Sequence, residues 1–184
     1  GTVLASRLSE DRATKVLLIE AGGRNRNPLI SIPMGFIKLL GQKQHYWEYD
    51  GADEPGIPNR PQTILHGKGL GGSSSINGMM VVRGHAGDYD EWAALGNQGW
   101  SYSDVLPYFK RLETRPDGDA AYRGRGGPIS VRSGFGDNPL YGAFQQAVLE
   151  AGHPETDDYN GASQWGGSET QHSITQGYAR RSSP

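Results

Sequence analysis

Between Gly67 and Gly84 the chain reads GKGLGGSSSINGMMVVRG, with five glycines and three serines ahead of Met79 and an apolar run after it. Glycine lets a backbone approach a ligand closely and serine adds hydroxyl donors, so the stretch offers many polar hydrogens with little side-chain bulk. That chemistry suits a large, partly anionic cofactor lying against the chain. A flexible Gly/Ser linker would not carry Leu70, Ile76, Met79, Met80, Val81 and Val82. The stretch holds a literal GxGxxG in Gly67, Gly69 and Gly72, but it lacks a long strand before it and an acid-tipped strand about 20 residues after it. It is therefore read as a cofactor-facing segment whose Ser73–Asn77 part starts a helix, and not as a dinucleotide turn.

A second group of candidate residues lies at the start of the chain. Thr2–Leu8 (TVLASRL) sets Val3, Leu4, Arg7 and Leu8 at helical spacing, Ser9–Thr14 turns the chain, and KVLLIEAGG follows from Lys15. Val16–Ile19 is a continuous apolar run, the pattern of a parallel strand covered on both faces, and Glu20 stands where that strand should end. Helix, turn and acid-tipped strand make the second half of a dinucleotide-binding βαβ unit, whose carboxylate accepts hydrogen bonds from ribose hydroxyls. Gly1 is then the last glycine of a turn whose first strand and first glycines precede it. The chain, which does not open on Met, reads as part of a longer protein.

Other chemistries are disfavoured. The 18 Lys and Arg against 20 Asp and Glu leave a net charge of -2, with pI near 6.2, so there is no broad basic surface for nucleic acid. Cysteine is absent, which removes disulfides, thiolate nucleophiles and sulfur-ligated metals. The five histidines show no metal-site spacing, and no GxSxG elbow or P-loop is present. No metal site is assigned within the chain. The longest uncharged apolar stretch, Asn27–Ile37, is broken by Pro28 and Pro33 and is too short to span a bilayer.

The elements that must position these residues follow from local pattern. Arg24–Arg60 reads mostly as loop, with a short helix near Met34–Leu40 and an aromatic cluster at His45, Tyr46, Trp47 and Tyr49; Thr63–Leu65 reads as a short strand. Asp88–Leu95 is expected to be a helix stopped by Gly96. Ser101 and Asp104 have capping-box spacing, with Pro107 beginning a further turn. Asp88, Asp90, Glu91 and Asp104 are better explained by caps and helix dipoles than by paired-carboxylate catalysis. Thr114–Gly127 reads as a surface loop, Pro128–Arg132 alternates like a strand, and Asn138 with Pro139 opens a helix that Gly152 closes. The polar remainder stops where Ser182 or Ser183 should cap another helix.

Three features together, Gly1 with Glu20, the GKGLGGSSSINGMMVVRG stretch, and DYDEWAALGNQGWSYSDVLPYFKRLE after it, closely resemble the glucose–methanol–choline family of FAD-dependent oxidoreductases. The likeness runs on through the GGPISV and QHSITQGYARRSS segments, and its subgroup is the bacterial choline-dehydrogenase-like alcohol dehydrogenases and oxidases. The resemblance implies an α/β fold, an incomplete Rossmann-type FAD-binding domain over residues 1–95, and the start of an α+β substrate domain over residues 96–184. It implies that Gly1 and Glu20 bind the diphosphate and the adenosine ribose, and that Leu70, Gly71, Ser73, Asn77, Gly78, Met79, Met80 and Val81 line the diphosphate and flavin. Some members attach FAD through a histidine just before the motif asparagine; Ile76 stands there, so FAD is expected to be non-covalent. The implied reaction is oxidation of a primary alcohol to an aldehyde, with oxygen, a quinone or another carrier as acceptor. The implied location is the bacterial cytoplasm or the membrane periphery. The family's base, a histidine paired with histidine or asparagine, lies in a C-terminal half outside this chain. Two alternatives stay open from the residues themselves: a non-catalytic remnant, and a reductase that binds NAD(P).

Overall fold

The computed structural model describes residues 1–52, 56, 62–134 and 138–175, and the chain divides between Met79 and Met80 into two units. In the first, α1 (Thr2–Leu8) forms where the spacing predicts it. Asn27 caps α2 (Pro28–Ser31) by accepting the Leu29 N–H at 3.1 Å, with Pro28 in the first helical position. A 3-10 turn (Pro33–Gly35) leads into α3 (Phe36–Leu39), which gives the expected short helix. Ile30 and Leu39 turn inward from these helices. Tyr46 joins them, its hydroxyl donating to the Leu40 carbonyl at 2.8 Å.

Two expectations in this unit are corrected. The aromatic run that reads as loop begins a strand, β1 (Tyr46–Asp50), antiparallel to β2 (Thr63–Gly67) with Tyr46 opposite Gly67 and Asp50 opposite Thr63. Cross-strand packing explains the preference: the Tyr49 and His66 rings meet edge-on at 5.9 Å, and the Lys68 ammonium lies 4.0 Å from the Trp47 ring centre. Val16–Ile19, in contrast, is unpaired and outside any strand. Leu17 and Ile19 are 84% and 82% exposed. A strand needs a neighbour to take its N–H and C=O groups, and among the described residues none runs beside this one. The parallel sheet of a Rossmann unit is therefore not formed among the described residues, which mix helices with three two-stranded sheets.

The second unit opens on α4 (Ala86–Ala94). His85 caps it: its Nδ1 accepts from Gly87, while Asp88 accepts from the His85 amide. After Gly96, at φ 101, Ser101 and Asp104 close a full capping box on α5 (Tyr102–Leu112). Pro107, expected to begin a separate turn, lies inside this continuous helix. Tyr89 meets Phe109 edge-on at 5.7 Å and so joins α4 to α5. The stretch expected as loop from Thr114 instead begins in β3 (Glu113–Thr114), parallel to β4 (Ile129–Ser130). Asn138 then caps α6 (Pro139–Glu150), and β5 (Arg132–Ser133) pairs antiparallel with β6 (Gln171–His172). The helix cap expected at Ser182 or Ser183 lies outside the described residues.

Val131 and Ile174 are fully buried here, yet most of this unit's buried side chains are polar. Glu113 lies between two guanidinium groups: Oε1 accepts from Arg83 Nη2 at 2.8 Å and from Arg123 Nε at 2.7 Å, and Oε2 accepts from Arg123 Nη2 at 2.8 Å. Arg123 Nη1 donates to Asp158 Oδ1 and to Gln171 Oε1. Several buried polar atoms nonetheless lack a partner among the described residues, among them Nε and Nη1 of Arg115 and Oδ2 of Asp158.

Two outcomes are expected. Ser101→Ala should lower stability by about 1 kcal/mol and Ser101→Gly by less, because the cap's acceptor is lost; urea unfolding of the two variants measures the difference. Burial pushes the His172 imidazole below its ordinary value, against the opposing hydrogen bond with the Thr170 backbone. The unfolded chain therefore binds the proton more readily. Stability from neutral His172 is complete above pH ~6.5 and is lost as pH falls through the lowered folded value. Unfolding free energies measured from pH 8 down to pH 5 should fall over that window, and His172→Gln should flatten the fall.

Candidate cofactor-facing segment

Gly67–Met79 belongs to the first unit and is shaped by its glycines. Gly69, Gly71 and Gly72 have φ of 150, 88 and 56, a sequence of positive values that side chains rarely adopt. A Cβ on Gly71 would strike the Ser75 hydroxyl, and one on Gly22 would strike the Lys68–Gly69 backbone, so the loop after Glu20 lies directly on this turn. Asn25 secures the approach by donating to the Leu70 carbonyl at 2.6 Å, where Ser75 also donates at 2.7 Å. Ser73 accepts the Gly67 amide at 2.9 Å. The helix expected from Ser73 to Asn77 is only a 3-10 turn, Gly72–Ser75. Its hydroxyls explain the shortness: Ser74 and Ser75 bond back to the Gly71 and Leu70 carbonyls and satisfy the turn locally.

Among the described residues, the amides of Gly69, Leu70 and Gly71 donate to no acceptor. Successive N–H groups without an acceptor, on a turn bent by glycines, are donors open to an anionic oxygen. A cofactor diphosphate carries such oxygens, and the residues present fit such a group. Glu20 adds an exposed carboxylate whose Oε1 accepts the Gly22 amide at 2.7 Å. Gly1 is the N-cap residue of α1. Leu70 is half exposed, and Gly78 has the Phe36 ring as its nearest neighbour.

Asn77 accepts the Met79 amide at 3.0 Å, holding Met79 at φ 63 although it is not glycine. Met79 is 1% exposed. A bulky residue in the left-handed region is strained by roughly 1–3 kcal/mol and persists because its surroundings hold it there. Met80 and Val81 fall in the second unit, where Met80 bridges to His172 and the Val81 amide donates to the Gln171 carbonyl at 2.9 Å. The sequence does not mark out Asn25, Tyr159 or Asn160. Asn25 carries no motif, and Tyr159–Asn160 stands in a YNG triplet that reads as turn punctuation.

Among the described residues no three His, Asp or Glu side chains are placed to hold a metal ion, and no helix is long and apolar enough to cross a membrane.

A sequence profile described as GMC oxidoreductase matches residues 8–183. The chain is 49% identical over 166 residues to an oxygen-dependent choline dehydrogenase of Rhizobium etli, covering 90% of this chain and 30% of that protein. Its fold superimposes on pyridoxine 4-oxidase from Mesorbium loti with a TM-score of 0.88 at 33% identity, over 98% of this chain and 35% of that one. An FAD-dependent oxidoreductase from Chaetomium thermophilum gives a TM-score of 0.87 at 33% identity, over all of this chain and 33% of that one. The chain thus spans about 30% of the length of the curated relatives it matches.

Gly71→Ala should be destabilising by about 1–3 kcal/mol, since it adds a left-handed strain to a contact with Ser75. Gly23→Ala meets nothing within 4 Å and carries no positive φ, so it should be near neutral. Thermal unfolding of the pair reads the contrast.

Proposed function

The chain belongs to the GMC oxidoreductase family, and from that premise we propose that it is the FAD-holding part of an enzyme that oxidises a primary alcohol to an aldehyde. The observation that carries this reading is the row of unpartnered amides at Gly69, Leu70 and Gly71. When bound, FAD supplies a hydride acceptor at N5 of its ring.

This chain's own residues bind and orient. Gly1 and the Gly69–Gly71 amides face the diphosphate, and Glu20 accepts hydrogen bonds from the adenosine ribose. Leu70, Gly71, Ser73, Asn77, Gly78, Met79, Met80 and Val81 line the diphosphate and flavin. Ile76 offers no nucleophile for attachment, so the cofactor is held without a covalent bond. The proton of the alcohol is taken by a base that none of the described residues supplies. Residues 1–95 form the cofactor domain and residues 96–184 begin the substrate domain. Within the cofactor domain, Val16–Ile19 completes a parallel sheet with neighbouring strands of the longer protein, which accounts for a run of exposed Leu and Ile. The acceptor is oxygen, a quinone or another carrier, and the setting is the bacterial cytoplasm or the membrane periphery.

Purification of the full-length protein should yield a yellow product with a flavin spectrum that alcohols bleach. Denaturing precipitation should release the flavin into the supernatant, whereas flavin retained in the pellet contradicts the non-covalent assignment. Glu20→Gln should weaken FAD binding about tenfold by removing a charged acceptor. A colourless protein that responds to NAD(P) favours the reductase reading, and one that responds to neither favours the remnant.

A further inference from the structure

Met80–Arg83 runs as extended chain through the second unit with only part of a backbone ladder to hold it. Its N-terminal half leans on β6, through the Met80–His172 bridge and the bond from the Val81 amide to Gln171. Its remaining backbone groups are paired by side chains. Asn160 Nδ2 donates to the Val81 carbonyl at 2.8 Å, and Asn160 Oδ1 accepts the Arg83 amide at 2.7 Å. A single primary amide thus stands in for the N–H and C=O of one residue of a neighbouring strand, giving to residue 81 and taking from residue 83. Tyr159 adds a second donor to the Val81 carbonyl at 3.0 Å, and Gln164 donates to the Arg83 carbonyl at 2.8 Å.

The clamp is itself immobilised. Asn160 Nδ2 also donates to Gln171 Oε1 at 2.8 Å, and that oxygen is fixed by Arg123. The Asn160 backbone N–H donates to Asp158 Oδ1 at 3.0 Å, and Asp158 is held by Arg123 in turn. Asn160 is 2% exposed. Burial raises the Tyr159 phenol above its ordinary value despite the nearby Arg123 and Arg115, so the hydroxyl keeps its proton and remains a donor to Val81. Only one orientation of the Asn160 amide satisfies both the Val81 carbonyl and the Arg83 amide, so the side chain reads backbone position as well as filling space.

We propose that Asn160, assisted by Tyr159, is a positioning residue for FAD: it fixes the Met80–Val81 backbone in the conformation that faces the flavin. This rests on the FAD reading above. A segment already held in its bound conformation pays no ordering cost when the cofactor arrives, and a loosened one does. Neither side chain is asked to touch the cofactor.

The test compares Asn160→Ala and Tyr159→Phe with Asn138→Ala, in the full-length holoprotein. Asn138 caps α6 and is outside the clamp, so its loss reports simple destabilisation. Stripping and retitrating each protein with FAD gives a dissociation constant, and the visible spectrum of the bound flavin gives a second readout that stability alone does not move. Asn160→Ala should raise the constant about tenfold, Tyr159→Phe should raise it by a smaller factor, and both should displace the flavin bands. Asn138→Ala should lower the melting temperature with constant and spectrum unchanged. If Asn160→Ala does not fold, Tyr159→Phe decides the matter, because it removes one hydroxyl and keeps the ring. Clamp variants that bind FAD with wild-type affinity and spectrum overturn this proposal alone. A wild-type protein that binds no FAD overturns the reading beneath it as well.

Discussion

A carboxylate taken out of water must find its compensation inside the protein, and Glu113 is such a group, with its side chain 5% exposed between Arg83 and Arg123. The two guanidinium groups arrive from different directions in sequence, 30 residues before and 10 residues after it. Holding them together therefore holds together the extended segment after Met80, the end of α5 and the loop carrying Arg123. The desolvation of three charges is costly, and their mutual attraction offsets it only while every partner is present. That makes the second unit intolerant of partial loss. The glycines around the cluster follow from the same constraint. A Cβ on Gly124 would run into the Lys110 carbonyl and one on Gly127 into the Leu112–Glu113 backbone, because the chain is drawn tight around the carboxylate.

The network extends from charge into geometry. Arg123 passes its restraint to Asp158 and Gln171, and these pass it to Asn160. A cluster with Val131 and Ile174 as its fully buried aliphatic residues is thereby ordered by directional bonds. Apolar burial is nondirectional and would tolerate shifts of a segment; hydrogen bonds to both Val81 and Arg83 do not. The first unit works by the opposite means. Its turn around Gly69–Gly72 is shaped by the absence of side chains, with Asn25, Ser73 and Ser75 securing it from outside. One unit is shaped by bare backbone, and the other by directional bonds between buried side chains.

Features set by neighbours in sequence were legible before any coordinates. The Ser101–Asp104 box, the Asn138–Pro139 start and the Gly96 and Gly152 stops involve groups a few residues apart, so residue type and spacing contain the whole interaction. The glycine-serine stretch was also legible as a place where backbone is exposed. What failed was pairing. YWEYD reads as loop because its partner, Thr63–Gly67, lies too far along the chain for local pattern to supply it. KVLLI reads as a covered strand because its apolar run demands cover, and the described residues provide none.

From the residues alone, then, came the helix ends, the glycine-rich turn, the acid at position 20 and the likeness to a flavoprotein family. Each depends on composition and short-range spacing. Tertiary structure decided that Glu113, Arg83, Arg123, Asp158 and Gln171 form one buried network, and that Asn160 serves Val81 and Arg83 from 79 and 77 residues away. No local rule distinguishes those residues from ordinary surface polar groups. Their roles arise when folding removes the water that would otherwise have satisfied them, leaving each with only the partners the fold brings close.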